Sequence, residues 1–328
     1  MKKIINDPNA VVSECLAGME LAHPALKYTP ELEVISRREK TAGKVGVISG
    51  GGSGHEPAHA GYVGTGMLDA AVAGNMFSSP SPDRIIAGIQ EADSGAGVLM
   101  VIKNYSGDIM NFEMAADMAE MEDITVKHVV VRDDVAVPDS TYSTGRRGIA
   151  GTVFVHKIAG AKAEAGGTLD QVAAVAQKTC DNIRSMGMAM TPCTLPAVGK
   201  PGFQLGENEV EIGMGIHGEP GVERTAVKTA KETAEILLGK ILEDYDFSGS
   251  EVALMVNGLG GTPLMELYIL NTEVQRVLAE RGVTVYKTFV GNYMTAIEMA
   301  GCSLTLLKLD NELKTLLDAP CDTPGLKV

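Results

Sequence analysis

The chain has 328 residues, of which 45% are hydrophobic and 21% charged, a globular composition far from that of disordered chains. Its 28 Lys and Arg against 42 Asp and Glu give a formal charge of −14, and with no tryptophan and 4% aromatics it lacks the basic and stacking surfaces that bind nucleic acid. There is no apolar run of about 18 residues to span a membrane and no apolar core in the opening MKKIINDPNAVV, and the five scattered cysteines form no CxxC, so a reduced, cytoplasmic protein is expected.

Along the chain, strand and helix patterns alternate. Residues 45–49 (VGVIS) form a short, β-branched apolar run, and 70–75 (AAVAGN) is a second strand candidate. A helix is predicted over 82–92, with Ser81 as its cap and Pro82 in its first turn. Strands follow at 98–102 (VLMVI) and 126–131 (VKHVVV), with a helix between them at 109–121. Nearly continuous apolar strands of this kind suit a sheet covered on both faces. Two alanine-rich helices are predicted at 148–165 and 169–186, separated by Gly166-Gly167 and a Thr168 cap. The pattern argues for an α/β domain with a largely parallel sheet, expected as an α/β/α sandwich. After residue 186 the texture changes. Strands are predicted at 188–190, 209–214, 252–256, 283–288 and 304–309, and helices at 223–238 and 263–281. Two domains are therefore expected, 1–186 and a second α/β domain over 187–328.

The first strand runs into Gly50-Gly51-Gly52-Ser53-Gly54, with a helix expected from Glu56. Glycines there leave backbone N–H groups free to face an oxygen-rich ligand, although a purely structural tight turn has the same composition. The run lacks the Gly-Lys-Ser/Thr ending of a P-loop and the third glycine of the dinucleotide fingerprint. HEPAH at 55–59 matches HExxH in form. With Pro57 between the histidines and no third ligand in sight, His59 is read as a packing or surface residue, and no metal site is expected. Lys103 to Asp108 (KNYSGD) follows a strand, where open α/β sheets collect ligands. Lys103 can hold a substrate oxygen; Asp108 can take a hydroxyl proton or cap the next helix. The turn at 77–83 can line the same crevice or simply start the helix at Pro82, and Asp133 and Asp134 are read as a solvated loop. His217 lies in GIHGEPG (215–221), flanked by glycines that leave its ring approachable. An imidazole there can act as base, ligand or nucleophile, or be an ordinary loop residue. His23, His128 and His156 are read as structural.

Taken together, GGGSGHEP (50–57), KNYSGD (103–108) and GIHGEPG (215–221) resemble the motifs of dihydroxyacetone kinases. MKKIIND at the start, SPSPD (79–83), DDVAVPDS (133–140), GRRGIAGT (145–152), MVNGLGGTP (255–263) and GNYMTAIEMAG (291–301) extend the resemblance over essentially the whole chain. It is most similar to the dihydroxyacetone-binding subunits of phosphotransferase-dependent bacterial enzymes. The resemblance implies a second domain with a mixed sheet, a homodimer and a role in glycerol metabolism. It implies that His217 joins the ketone carbon of dihydroxyacetone as a hemiaminal, that His55 and Asp108 assist at the hydroxyls, and that Lys103 and the backbone at Gly52, Ser53 and Gly54 hold substrate oxygens. No cofactor is expected in this chain. ADP/ATP and Mg²⁺ are expected on a separate nucleotide-binding subunit, recharged by a phosphohistidine subunit using phosphoenolpyruvate-derived phosphate. An alternative implied by the same resemblance is a dihydroxyacetone-sensing co-activator of transcription that supports no transfer.

Overall fold

The computed structural model describes residues 2–138 and 145–328; residues 139 and 140, which end the DDVAVPDS run, lie outside the described residues. The described residues divide into two compact units, each built on a six-stranded sheet.

The first unit takes in the chain up to Val131, then Thr152–Asp181 and Leu313–Val328. Its elements run α1 (Val11–Ala22), β1 (Leu26–Thr29), β2 (Val34–Arg37), β3 (Gly46–Ser53), β4 (Ala70–Met76), α2 (Pro82–Ala92), β5 (Val98–Lys103), α3 (Ser106–Met121), β6 (Val126–Val131), α4 (Thr152–Glu164) and α5 (Leu169–Asp181). The strand order is β1-β2-β4-β3-β5-β6. Strand β3 pairs in parallel with β4 and β5, and β5 pairs in parallel with β6, while β1 and β2 add an antiparallel edge. Every position of β3 is buried, as a strand covered on both faces requires. On one face, Ile85 and Ile89 of α2 and Phe112, Ala115 and Ala119 of α3 pack against Ile48, Val72, Met100 and Ile102. Alternation along β3 turns Ser49 to the other face, where α4 packs. The α/β/α sandwich expected from the sequence is thus present.

The second unit comprises Arg132–Gly151 and Asn182–Glu312. It contains β7 (Ile183–Ala189), β8 (Glu209–Ile212), β9 (Glu223–Ala226), α6 (Ala230–Asp244), β10 (Glu251–Gly258), α7 (Leu264–Glu280), β11 (Thr284–Gly291) and β12 (Gly301–Leu309). The order is β11-β10-β12-β7-β8-β9. The β10–β11 pair is parallel and the other pairs are antiparallel, so the sheet is mixed, as expected. Helices α6 and α7 bury Leu237, Leu238, Ile241, Leu267, Leu270 and Val274 against Val252, Leu254, Val256, Leu304 and Leu306. A final helix, α8 (Asn311–Asp318), leads into the last stretch of the first unit, where Lys157 Nζ donates to the Leu316 carbonyl at 2.6 Å.

Three expectations differ from what is found. The units are not the consecutive stretches 1–186 and 187–328. Residues 132–151 cluster with the second sheet because buried Asp133 accepts from the Ile149 and Gly151 N–H groups and from Ser185 Oγ, and 313–328 cluster with the first. The helix expected over 169–186 ends at Asp181; residues 183–189 form β7, whose partner β12 lies over a hundred residues away and leaves no local signal. The helix expected from 223 begins at Ala230, behind Thr229 and Glu232 in a capping box, and Glu223–Ala226 is a strand.

Phe112 is fully buried at the centre of the first core. Phe112→Ala should lower stability by about 3–5 kcal/mol, read as a fall in the chemical denaturation midpoint. A change below about 1 kcal/mol would mean the core is packed differently from this description.

Candidate functional site

Strands β3, β4 and β5 end side by side at one edge of the first sheet, the edge where open α/β sheets bind ligands. Strand β3 ends in the glycine run. A side chain on Gly52 would come within 2.5 Å of the Ser78 nitrogen and 2.7 Å of Phe77 Cα, so the bare backbone lets the 77–79 loop lie against the turn. A Cβ on Gly51, whose φ is +153°, would stand 2.5 Å from Lys103 Nζ. The lysine ammonium therefore lies against naked main chain. Ser53 Oγ donates to the Gly74 carbonyl at 2.7 Å, tying the end of β3 to β4.

Lys103 closes β5, and Asp108 stands in the first turn of α3. The two side chains are 1% and 3% exposed, with Nζ 3.4 Å from Oδ2. The other Asp108 oxygen accepts from Ser79 Oγ. Asp108 is not the helix cap: α3 opens at Ser106 behind Tyr105, which makes no side-chain cap bond. The carboxylate is turned to Lys103 and Ser79 instead, while its charge still complements the helix N-terminus. The 77–83 turn thus does both things weighed for it. It starts α2 at Pro82, and through Ser79 it joins the Lys103–Asp108 group.

No helix begins at Glu56. After Ser53 the chain turns, with the Gly54 N–H donating to Glu56 Oε1 at 3.0 Å and His55 bridging to Ala58, before a short 3-10 turn at Ala60–Tyr62. His55 is buried, and its ring stacks on Phe77 at 5.1 Å between centroids and 18° between planes. His55 and His59 therefore do not share a helix face. His59 is buried on the α4 side of the sheet. Its Nδ1 lies 3.3 Å from Ser49 Oγ and 3.1 Å from His156 Nε2, and Ser49 spends its own hydroxyl proton on the Val101 carbonyl at 2.8 Å. Burial first, then the Lys103 charge, pushes His156 down to about 3; the same two effects, with the other histidines, hold His59 well below its ordinary range. Both rings are neutral. This pairing leaves no local pattern in the chain, because the partners lie on separate elements.

In the second unit, His217 sits in the turn that follows β8. The Gly218 N–H donates to the Gly215 carbonyl, and the Gly215 N–H to the Glu219 carbonyl, both at 3.2 Å. Glu219 grips the histidine twice: Oε2 accepts the His217 backbone N–H at 2.5 Å, and Oε1 lies 2.9 Å from ring Nδ1. The ring is half-buried, at 17% exposure. Burial works to raise the Glu219 carboxyl, but the His217 hydrogen bond and charge, helped by Arg147, hold it well below the usual range. Glu219 was missed as a site residue. Its signal was a carboxylate two positions beyond the histidine inside the same glycine-flanked turn. Chemically, the first unit offers a cation, a carboxylate and a buried imidazole beside open backbone, and the second offers an oriented imidazole.

A family model described as the Dak1 domain matches residues 17–325. The chain is 52% identical to the PTS-dependent dihydroxyacetone kinase 1, dihydroxyacetone-binding subunit DhaK, of Listeria innocua, over 98% of this chain and 99% of that protein. It is similar to the solved dihydroxyacetone kinase of C. freundii, with a TM-score of 0.93 and 35% identity over 99% of this chain and 60% of that one. It also matches the solved dihydroxyacetone kinase operon co-activator Dha-DhaQ, with a TM-score of 0.90 and 39% identity over 95% and 97% of the two chains.

The neutral histidine pair makes stability depend on pH. Both folded-state values are depressed, so the unfolded chain binds protons that the folded chain refuses. Stability should fall as pH drops below the ordinary imidazole value, by about 1.4 kcal/mol per pH unit for each ring that stays neutral, in the case of His156 down to about 3. His156→Gln should flatten that dependence by about one proton between pH 6 and 4, measured by urea denaturation across pH. Parallel curves for the two proteins would rule out a neutral buried ring at 156.

Proposed function

The chain belongs to the Dak1 domain family, and on that premise we propose that it is the dihydroxyacetone-binding subunit of a dihydroxyacetone kinase, acting with a phosphoryl donor carried on a separate chain. The observation that carries this reading is His217, held through Nδ1 by Glu219 in a glycine-flanked turn, in a chain that matches such a subunit from end to end. In this reading His217 bonds to the ketone carbon of dihydroxyacetone. Lys103 and the backbone at Gly52, Ser53 and Gly54 hold its oxygens, His55 assists at a hydroxyl, and Asp108 takes the proton of the hydroxyl that attacks phosphorus.

A three-carbon ligand has few atoms to grip, which limits its non-covalent binding energy. A reversible bond to the central carbon adds energy and fixes the terminal hydroxyl for transfer. It also selects against glycerol, which lacks the carbonyl and cannot form the adduct. Asp108 suits a base because one oxygen faces Lys103 and the other faces Ser79, so its orientation is fixed before substrate arrives. The donor nucleotide and Mg²⁺ belong to the partner subunit, recharged by a phosphohistidine subunit from phosphoenolpyruvate. We read this subunit as a cytoplasmic homodimer. Among the described residues no helix is long and apolar enough to cross a membrane. A second reading, a dihydroxyacetone-sensing co-activator, is favoured by the likeness to Dha-DhaQ.

Intact-protein mass spectrometry after incubation with dihydroxyacetone should show an adduct that His217→Ala abolishes; an adduct surviving that change removes His217 from the role. In a reconstituted system with the donor subunits, Asp108→Ala should keep the adduct and lose phosphoryl transfer by a factor of about 10² to 10⁴. Unchanged transfer in Asp108→Ala would refute its role as base. An adduct without transfer in the unaltered protein, with authentic partners, would select the co-activator.

A further inference from the structure

We propose that Glu219 is a positioning residue that locks His217 in the Nδ1–H tautomer and so makes Nε2 the attacking nitrogen; the inference rests on the covalent reading above and names the group that prepares it. A carboxylate only accepts hydrogen bonds. Glu219 faces two nitrogens of one residue, the backbone N–H at 2.5 Å and ring Nδ1 at 2.9 Å. With a carboxylate oxygen 2.9 Å from Nδ1, the hydrogen in that contact is on the ring nitrogen, so Nδ1 carries the proton. A neutral imidazole has one N–H, and the lone pair is then on Nε2.

The grip is itself held in place. A Cβ on Gly215 would collide with Glu219 Oε2 and come within 2.5 Å of Arg147 Nη1, so both groups close on the same bare stretch of main chain. Arg147 cannot swing away easily. Its Nε donates to Asp134 Oδ2 and its Nη2 to the Gly213 carbonyl, each at 2.8 Å. Asp134 is buried and is further fixed by the Ala136 N–H at 3.0 Å. A line of charges thus runs from Asp134 through Arg147 to Glu219 and the imidazole, all within the second unit.

The step this serves balances as follows. The Nε2 pair forms the bond to the carbonyl carbon, the carbonyl π pair moves onto oxygen, and that oxygen takes one proton from solvent. The ring becomes cationic and keeps its Nδ1 proton against the Glu219 carboxylate. Glu219 therefore does more than orient the ring. Its negative charge opposes the positive charge that appears on the imidazole as the bond forms.

The test is Glu219→Gln. With its oxygen kept on the backbone N–H, the amide NH₂ faces Nδ1, which must then accept, and the ring proton moves to Nε2. Nitrogen NMR of histidine-labelled protein should show the Nδ1–H tautomer for His217 in the unaltered chain and the Nε2–H tautomer in the variant. Adduct formation with dihydroxyacetone, followed by mass spectrometry, should slow at least tenfold, and Glu219→Asp should restore part of the rate. An Nε2–H tautomer in the unaltered chain overturns the proposal without any variant. So does an adduct rate in Glu219→Gln within twofold of the original. If the unaltered chain forms no adduct at all, the covalent reading fails, while the tautomer measurement still decides whether Glu219 positions the ring.

Discussion

A lysine ammonium and a carboxylate, buried together beneath a stretch of main chain that carries no side chains, set the terms for the first unit. Removing either charge from water is costly, and the pair stands only because each offsets the other and Ser79 satisfies the second carboxylate oxygen. The arrangement dictates its surroundings. Gly51 has to be bare because the ammonium occupies the place of its Cβ, and Gly52 because the 77–79 loop closes over it. The positive charge reaches the α4 side of the sheet, where it joins burial in keeping two histidines neutral. One ion pair thus fixes the backbone on one side and protonation states on the other.

The second unit solves a different problem. Its histidine is partly open, and nothing as massive as a core holds it. A short turn brings Glu219 back on the same residue, so orientation comes from two local hydrogen bonds, and Arg147, itself held by Asp134, closes on the same bare Gly215 as the carboxylate. A reactive group that must meet substrate cannot be deeply packed, and a local clamp backed by buried charge is a workable substitute.

Much of this was legible in the chain. The apolar runs at 45–49 and 98–102 are strands because a sheet covered on both faces needs residues apolar on both sides, and that pattern survives in one dimension; 126–131 is an edge strand, with Lys127 and His128 exposed. The glycine run, Lys103, Asp108 and His217 were visible because each breaks its local pattern after a strand. What escaped was settled by contacts distant in sequence. The first half of β7, residues 183–186, looked like the tail of a helix although 188–190 read as a strand, and pairing with β12 decides the matter. Ser79 and Phe77 read as turn residues until Asp108 and His55 were placed beside them. The pairing of His59 with His156 joins positions nearly a hundred residues apart. Asp133 and Asp134, read as a solvated loop, are instead buried, one gathering the 145–151 loop and the other holding Arg147.

The interleaved course of the chain bears on how the protein comes to be made. Residues 132–138 and 145–151 cluster with a sheet whose strands come later in the chain, and the sandwich that precedes them takes in residues 313–328, which follow the whole of that sheet. The first unit therefore cannot be completed before the second has been synthesised, and strict unit-by-unit maturation in chain order is closed to it. A cut after Val131 would leave the first fragment without residues 152–181 and 313–328 of its own unit, while the second fragment would carry those pieces beside a complete second sheet, so the first unit depends on the second being made with it.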